Sequence, residues 1–79
     1  MFSAAQSRGA RGILEWTQGR LAIEAGVSLS TVKDFESGRR MPIGNNLSAM
    51  QRAFEAAGIE FINENGGGAG VRFRKRRKA

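Results

Sequence analysis

Six of the thirteen basic residues stand together at the end of the chain, Arg72, Arg74, Lys75, Arg76, Arg77 and Lys78, with no acid among them. A run of this kind attracts polyanions. Residues 1–71 carry seven Lys or Arg and seven Asp or Glu, so the net charge of +6 belongs to the tail and the body is neutral. Cysteine and histidine are absent. That removes disulfides, thiolate or imidazole metal sites and nucleophile–histidine catalysis. An enzyme would have to run on carboxylates, Lys, Ser or Thr alone, and the reading is a protein without catalysis, metal or cofactor. The glycines between Gly66 and Gly70 lack the strand-glycine-helix context of a nucleotide cradle.

The elements that position these side chains follow from periodicity and punctuation. A chain of 79 residues supports one small core, and its 41% apolar and 25% charged content is that of a folded protein. A first helix is expected over 3 to about 15, with Ala10, Ile13 and Leu14 on one side and Trp16 closing it. Gly9 and Gly12 make it dependent on packing. Thr17 has the chemistry of an N-cap for a second helix, 18–25, which carries Leu21, Ala22 and Ala25 at helical spacing. Gly26 ends it, and Ser28 caps a third helix reaching about Ser37, with Leu29, Val32 and Phe35 about three residues apart. After Gly38 comes the basic turn Arg39-Arg40-Met41-Pro42, which cannot stay helical into the proline. Asn45 or Asn46 is expected to cap a fourth helix, 47–57, striped by Leu47, Met50, Ala53, Phe54 and Ala57. Residues 59–62 and 71–74 read as two short strands joined by a glycine-rich loop, an antiparallel hairpin that must pack on the helices or pair with another chain.

Two short helices around a glycine-containing turn form a helix-turn-helix signature, and residues 18–35 meet its steric demands. Leu21, Val27, Val32 and Phe35 supply a shared core, Ala22 allows close approach and Gly26 permits the turn. The stretch TQGRLAIEAGVSLSTVKDFESGRRMP resembles the Xre/Cro-repressor-like helix-turn-helix family, over residues 8 to about 57. EAAGIEFINENGGGAGVRFRK is similar to a C-terminal hairpin on some small bacterial members. The resemblance implies a mainly α fold: a lambda-repressor-like domain of four to five helices (1–58), then a β-hairpin used for dimerisation (59–74) and a disordered basic tail (75–79).

It also implies sequence-specific DNA binding by a cytoplasmic, nucleoid-associated transcriptional regulator, a repressor acting as a homodimer on an inverted repeat, with the third helix in the major groove. Ser28, Leu29, Ser30, Lys33 and Asp34 are then the candidate base readers. Leu29 either covers a thymine methyl or faces the core. Thr17, Gln18, Arg20, Ser37, Arg39 and Arg40 are candidate backbone contacts. Arg74, Lys75, Arg76, Arg77 and Lys78 are expected to follow DNA phosphates or an adjacent minor groove. A solvated terminus, RNA or a membrane surface are the alternatives for this tail. Phe61, Ile62, Val71 and Phe73 are the expected dimerisation residues. Arg11 and Glu36 match a structural salt bridge of the family, and Trp16 reads as a packing residue. Gly19 and Arg20 stand where most relatives carry Glu, which removes a capping box and adds a cation. An antitoxin-type regulator that also holds a toxin, and a protein-interaction module with nonspecific nucleic-acid binding, are the competing functions. No run approaches the roughly 18 apolar residues of a membrane helix and no signal-peptide pattern opens the chain, so no membrane partner is expected.

Overall fold

The computed structural model describes residues 2–63 and 68–74. In these, four helices, α1 (Ala4–Leu14), α2 (Gln18–Ala25), α3 (Leu29–Ser37) and α4 (Gly44–Ala56), precede an antiparallel hairpin of β1 (Ile59–Ile62) and β2 (Gly70–Phe73). Among the described residues no helix is long and apolar enough to cross a membrane.

Local chemistry sets the helix ends. Ser3 and Gln6 form a reciprocal capping box, with the Ser3 hydroxyl accepting the Gln6 N–H at 3.1 Å and the Gln6 side-chain Oε1 accepting the Ser3 N–H at 3.0 Å. Glu15, not Trp16, ends α1, in a left-handed conformation (φ 58°) that is unusual for a residue with a Cβ. α2 and α3 have the expected bounds, each opened by the expected hydroxyl cap and closed by a glycine at positive φ, Gly26 at 70° and Gly38 at 80°.

α4 begins earlier than its apolar stripe suggests. Ile43, not Asn45 or Asn46, is the capping position; its extended backbone lets its carbonyl accept from Asn46 at 3.0 Å and Leu47 at 3.1 Å, and no side chain caps the end. Once the chain has left Pro42, this carbonyl can open the first turn without side-chain help. The second strand is displaced by one residue from the expected 71–74, with Gly70 paired to Ile62 and Arg74 beyond the end.

Phe54, fully buried, lies at the centre of the aromatic core, its ring 5.6 Å from Trp16, 5.9 Å from Phe61 and 6.0 Å from Phe2. Phe2 also meets Phe35 at 5.5 Å and Phe61 at 4.9 Å, tying the start of the chain to α3 and the hairpin. Ala10, Leu21, Ala22, Val32, Met50 and Ile59 complete the buried apolar set. The hairpin therefore packs on the helices. Phe61 and Val71, two of the expected dimerisation residues, turn toward this core because strand alternation puts them on the same face as Ile59. Gly9 is needed there, since a Cβ on it would stand 3.1 Å from Val71 Cγ2. Gln6 fastens the far end of the ribbon by donating to the carbonyls of Gly70 (3.0 Å) and Ile62 (3.3 Å).

Phe54→Ala is expected to cost about 3–5 kcal/mol, most of the stability of so small a domain, and to abolish the cooperative thermal transition seen by circular dichroism. Glu15→Gly should act oppositely, relieving about 1 kcal/mol of left-handed strain and raising the melting temperature by several degrees; an unchanged or lower value would contradict the strain assigned to Glu15.

Candidate nucleic-acid interface

Glu36 is the last inward-facing residue of α3 and is only 3% exposed. Burying a carboxylate is costly unless it is paired. Here Arg11 supplies a two-pronged partner, its Nη2 2.8 Å from Oε1 and its Nε 3.0 Å from Oε2. The Ser7 hydroxyl donates to Oε2, and the Gln18 amide donates to Oε1 at 3.1 Å. Arg11 also donates to the Trp16 carbonyl at 3.0 Å, while Arg8 donates to the Glu36 carbonyl near the C-terminal end of α3. Burial alone raises the Glu36 carboxyl; the hydrogen bonds from Arg11, Ser7 and Gln18 and the Arg11 charge outweigh it and hold the group below its ordinary range. The Arg11–Glu36 pair implied by the family resemblance is thus present, and it fixes α1, the start of α2 and α3 against one another.

On this frame α3 exposes a polar row. Ser28, Leu29, Ser30 and Lys33 are exposed over buried Val32 and Phe35. Leu29, at 42% exposure, lies outside the core, so it does not take the inward placement its sequence position also allows. The Ser28 hydroxyl accepts the Thr31 N–H at 3.0 Å and lies 3.1 Å from the Ser30 hydroxyl. Its first duty is the cap. Asp34 is half-buried, and its backbone carbonyl accepts from Arg39 N–H (2.9 Å), Arg40 N–H (3.2 Å) and the Ser37 hydroxyl (3.2 Å). This winding of the chain around Asp34 carries Arg39 and Arg40 past the end of α3. A shallow cleft of about 260 Å³ brings Ser30, Asp34 and Arg40 together beside Met41 and Ile43.

The other candidate backbone-binding residues differ in how free they are. Thr17 is exposed, with its hydroxyl accepting the Arg20 N–H at 2.9 Å. Gln18 is turned inward to Glu36. Arg20 is held by Glu24 at 2.7 Å and lies 5.0 Å from the centre of the Trp16 ring. Ser37, Arg39 and Arg40 are exposed, and neither arginine forms an ion pair among the described residues. Arg74 has a structural role: its N–H donates to the Gly58 carbonyl at 2.7 Å and its guanidinium to the Glu55 carbonyl at 2.9 Å, near the end of α4. Lys75, Arg76, Arg77 and Lys78 lie outside the described residues. No group of His, Cys, Asp and Glu able to hold a metal occurs among the described residues.

Gln6, Ser7, Arg8 and Phe2 are not singled out by sequence pattern. The Ser3-x-x-Gln6 spacing is a readable capping signal. Ser7 and Arg8 carry none, because their partner is 28 or 29 residues away. Neither a scan against protein-family models nor a search of curated proteins finds a match to this chain.

Because the folded Glu36 carboxyl titrates below its ordinary value near 4.5, it contributes stability that is fully present above that value and lost as pH falls through the lower folded pKa. The urea midpoint of the wild-type chain should therefore fall on acidification more steeply than that of Glu36→Gln. Arg11→Met, which leaves the carboxylate buried without its cation, should cost about 3 kcal/mol or more at neutral pH. Matching acid profiles for wild type and Glu36→Gln would contradict the assignment.

Proposed function

We propose that the chain is a sequence-specific DNA-binding transcriptional regulator of the helix-turn-helix kind, a repressor that binds an inverted repeat as a homodimer with α3 in the major groove. The observation that carries this reading is the exposure of Ser28, Leu29, Ser30 and Lys33 at the N-terminal half of α3, while the same helix is anchored behind by Val32, Phe35 and Glu36. Hydroxyls donate to or accept from base edges, an exposed leucine covers a thymine methyl, and Lys33 reaches a base or a phosphate. Arg39 and Arg40 supply salt-dependent backbone attraction and little sequence information. Of the other candidate backbone contacts, Thr17 is exposed, whereas Gln18 and Arg20 are held by Glu36 and Glu24.

Met41 and Ile43, exposed at 59% and 70% and lining one cleft with Pro42, favour a second reading in which the regulator also holds a protein, as an antitoxin-type repressor does.

Selection of preferred sites from random duplexes, followed by titration against scrambled DNA, tests the proposal. The selected sites should show twofold symmetry, with half-sites about 34 Å apart or a multiple of it. Replacing Ser30, Lys33 and Asp34 together with Ala should lower affinity for the preferred site by about tenfold or more and erase the preference over scrambled DNA. If the preferred-site affinity were unchanged, α3 would not be the reader. Arg39→Ala and Arg40→Ala should each weaken binding to all sequences alike and reduce the log–log salt slope by about 1. Deletion of residues 75–79 should do the same, lowering the slope by about 1 for every phosphate the tail neutralises.

A further inference from the structure

The cleft at the end of α3 holds two opposite charges that do not meet. Asp34 and Arg40 both line it, and their backbones are tied, the Arg40 N–H donating to the Asp34 carbonyl at 3.2 Å. Among the described residues neither the Asp34 carboxylate nor the Arg40 guanidinium makes a hydrogen bond or an ion pair. Asp34 is half-buried, so water reaches its carboxylate less freely than one on the open surface. The half-buried Asn46 lines the same cleft, and its side-chain amide has no hydrogen bond among the described residues. The remaining wall is apolar, with Met41 and Ile43 exposed on either side of Pro42. The volume, about 260 Å³, falls below the roughly 300–1,000 Å³ of sites for drug-sized ligands. It suits a smaller metabolite.

We propose that this cleft binds a free α-amino acid with an aliphatic side chain, and that the bound amino acid releases the protein from DNA. An α-amino acid carries its ammonium and carboxylate on one carbon, so it bridges opposite side-chain charges that do not reach each other. Asp34 accepts from the ammonium, and Arg40 donates to the carboxylate with its planar fork. The Asn46 amide serves either group. The aliphatic chain lies on Met41 and Ile43 and removes their surface from water. A simple carboxylate or a simple amine would match one charge and leave the other unpaired. Binding of the amino acid stands on the cleft alone, whereas the release rests on the DNA reading above. That reading assigns Ser30, Asp34 and Arg40 to DNA, and all three line the cleft. A ligand seated there takes a base-reading acceptor and a phosphate contact away together.

Titration of the isotope-labelled full chain with L-leucine, without DNA, should give saturating shifts of the backbone amides around Asp34 and from Arg40 to Asn46, with a Kd of about 1 mM or tighter. Isoamylamine, which lacks the carboxylate, and 4-methylpentanoate, which lacks the ammonium, should each bind at least about tenfold more weakly. Asp34→Asn should weaken leucine by a similar factor. On the selected duplex, leucine at about ten times its Kd should lower the apparent DNA affinity about tenfold for each site. Met41→Gln combined with Ile43→Ser touches no assigned DNA contact. It should weaken leucine about tenfold and keep DNA affinity within about twofold, with an unchanged circular dichroism spectrum. No saturable shift by leucine, or equal binding of either analogue, would overturn the site. Saturable leucine binding with undiminished DNA affinity would overturn the release and leave the site. A chain that selects no duplex would overturn the DNA reading and with it the release, while the leucine titration still decides the site.

Discussion

The buried carboxylate of Glu36 is the constraint on which the arrangement of the helices depends. An unpaired charge at this depth would cost several kcal/mol, so the fold must bring Arg11, Ser7 and Gln18 to it from two other helices. Hydrophobic contact alone fixes distance but tolerates rotation and sliding. A carboxylate held by a forked guanidinium, a hydroxyl and an amide fixes orientation as well. α1, α2 and α3 are thereby held in one relative geometry, and the face of α3 opposite Glu36 is the one exposed to solvent.

That geometry also sorts the polar side chains by availability. Ser30, Lys33, Arg39 and Arg40 are exposed, whereas Gln18 is bound to Glu36, Arg20 to Glu24, and Arg74 to the last turn of α4. Residue type alone would rank Arg20 and Arg74 with Arg39 and Arg40 as cations for an anionic partner. Their partners separate them. The affinity of the proposed interface accordingly rests on fewer free cations than composition suggests, and six of the thirteen basic residues lie at positions 72–78.

The hairpin shows how a small domain adds to a limited core. Two strands alone are marginal, and these become part of the fold because Phe61 and Val71 join the aromatic cluster around Phe54 while Gln6 bridges the end of the ribbon. Gly9 permits the close approach of α1 to Val71.

Helices 2 and 3 were legible to the residue because each is bracketed by local chemistry, a hydroxyl cap before and a glycine after, that acts within a few positions of sequence. The start of α4 was not, because a backbone carbonyl, at Ile43, opens it and no side chain announces the place. The pairing of Arg11 with Glu36 was accessible through family resemblance, while Ser7, Arg8 and Gln18 joined it without any sequence signal. Strand alternation indicated an apolar face but could not say whether Phe61 and Val71 would meet their own helices or another chain. By itself the sequence determined the elements, the caps of α2 and α3, the lack of thiol and imidazole chemistry and the concentration of positive charge at one end, since these depend on local conformation and composition. Only the tertiary structure decided which arginines are free and which side of α3 is open, because those outcomes depend on contacts between residues far apart in the chain.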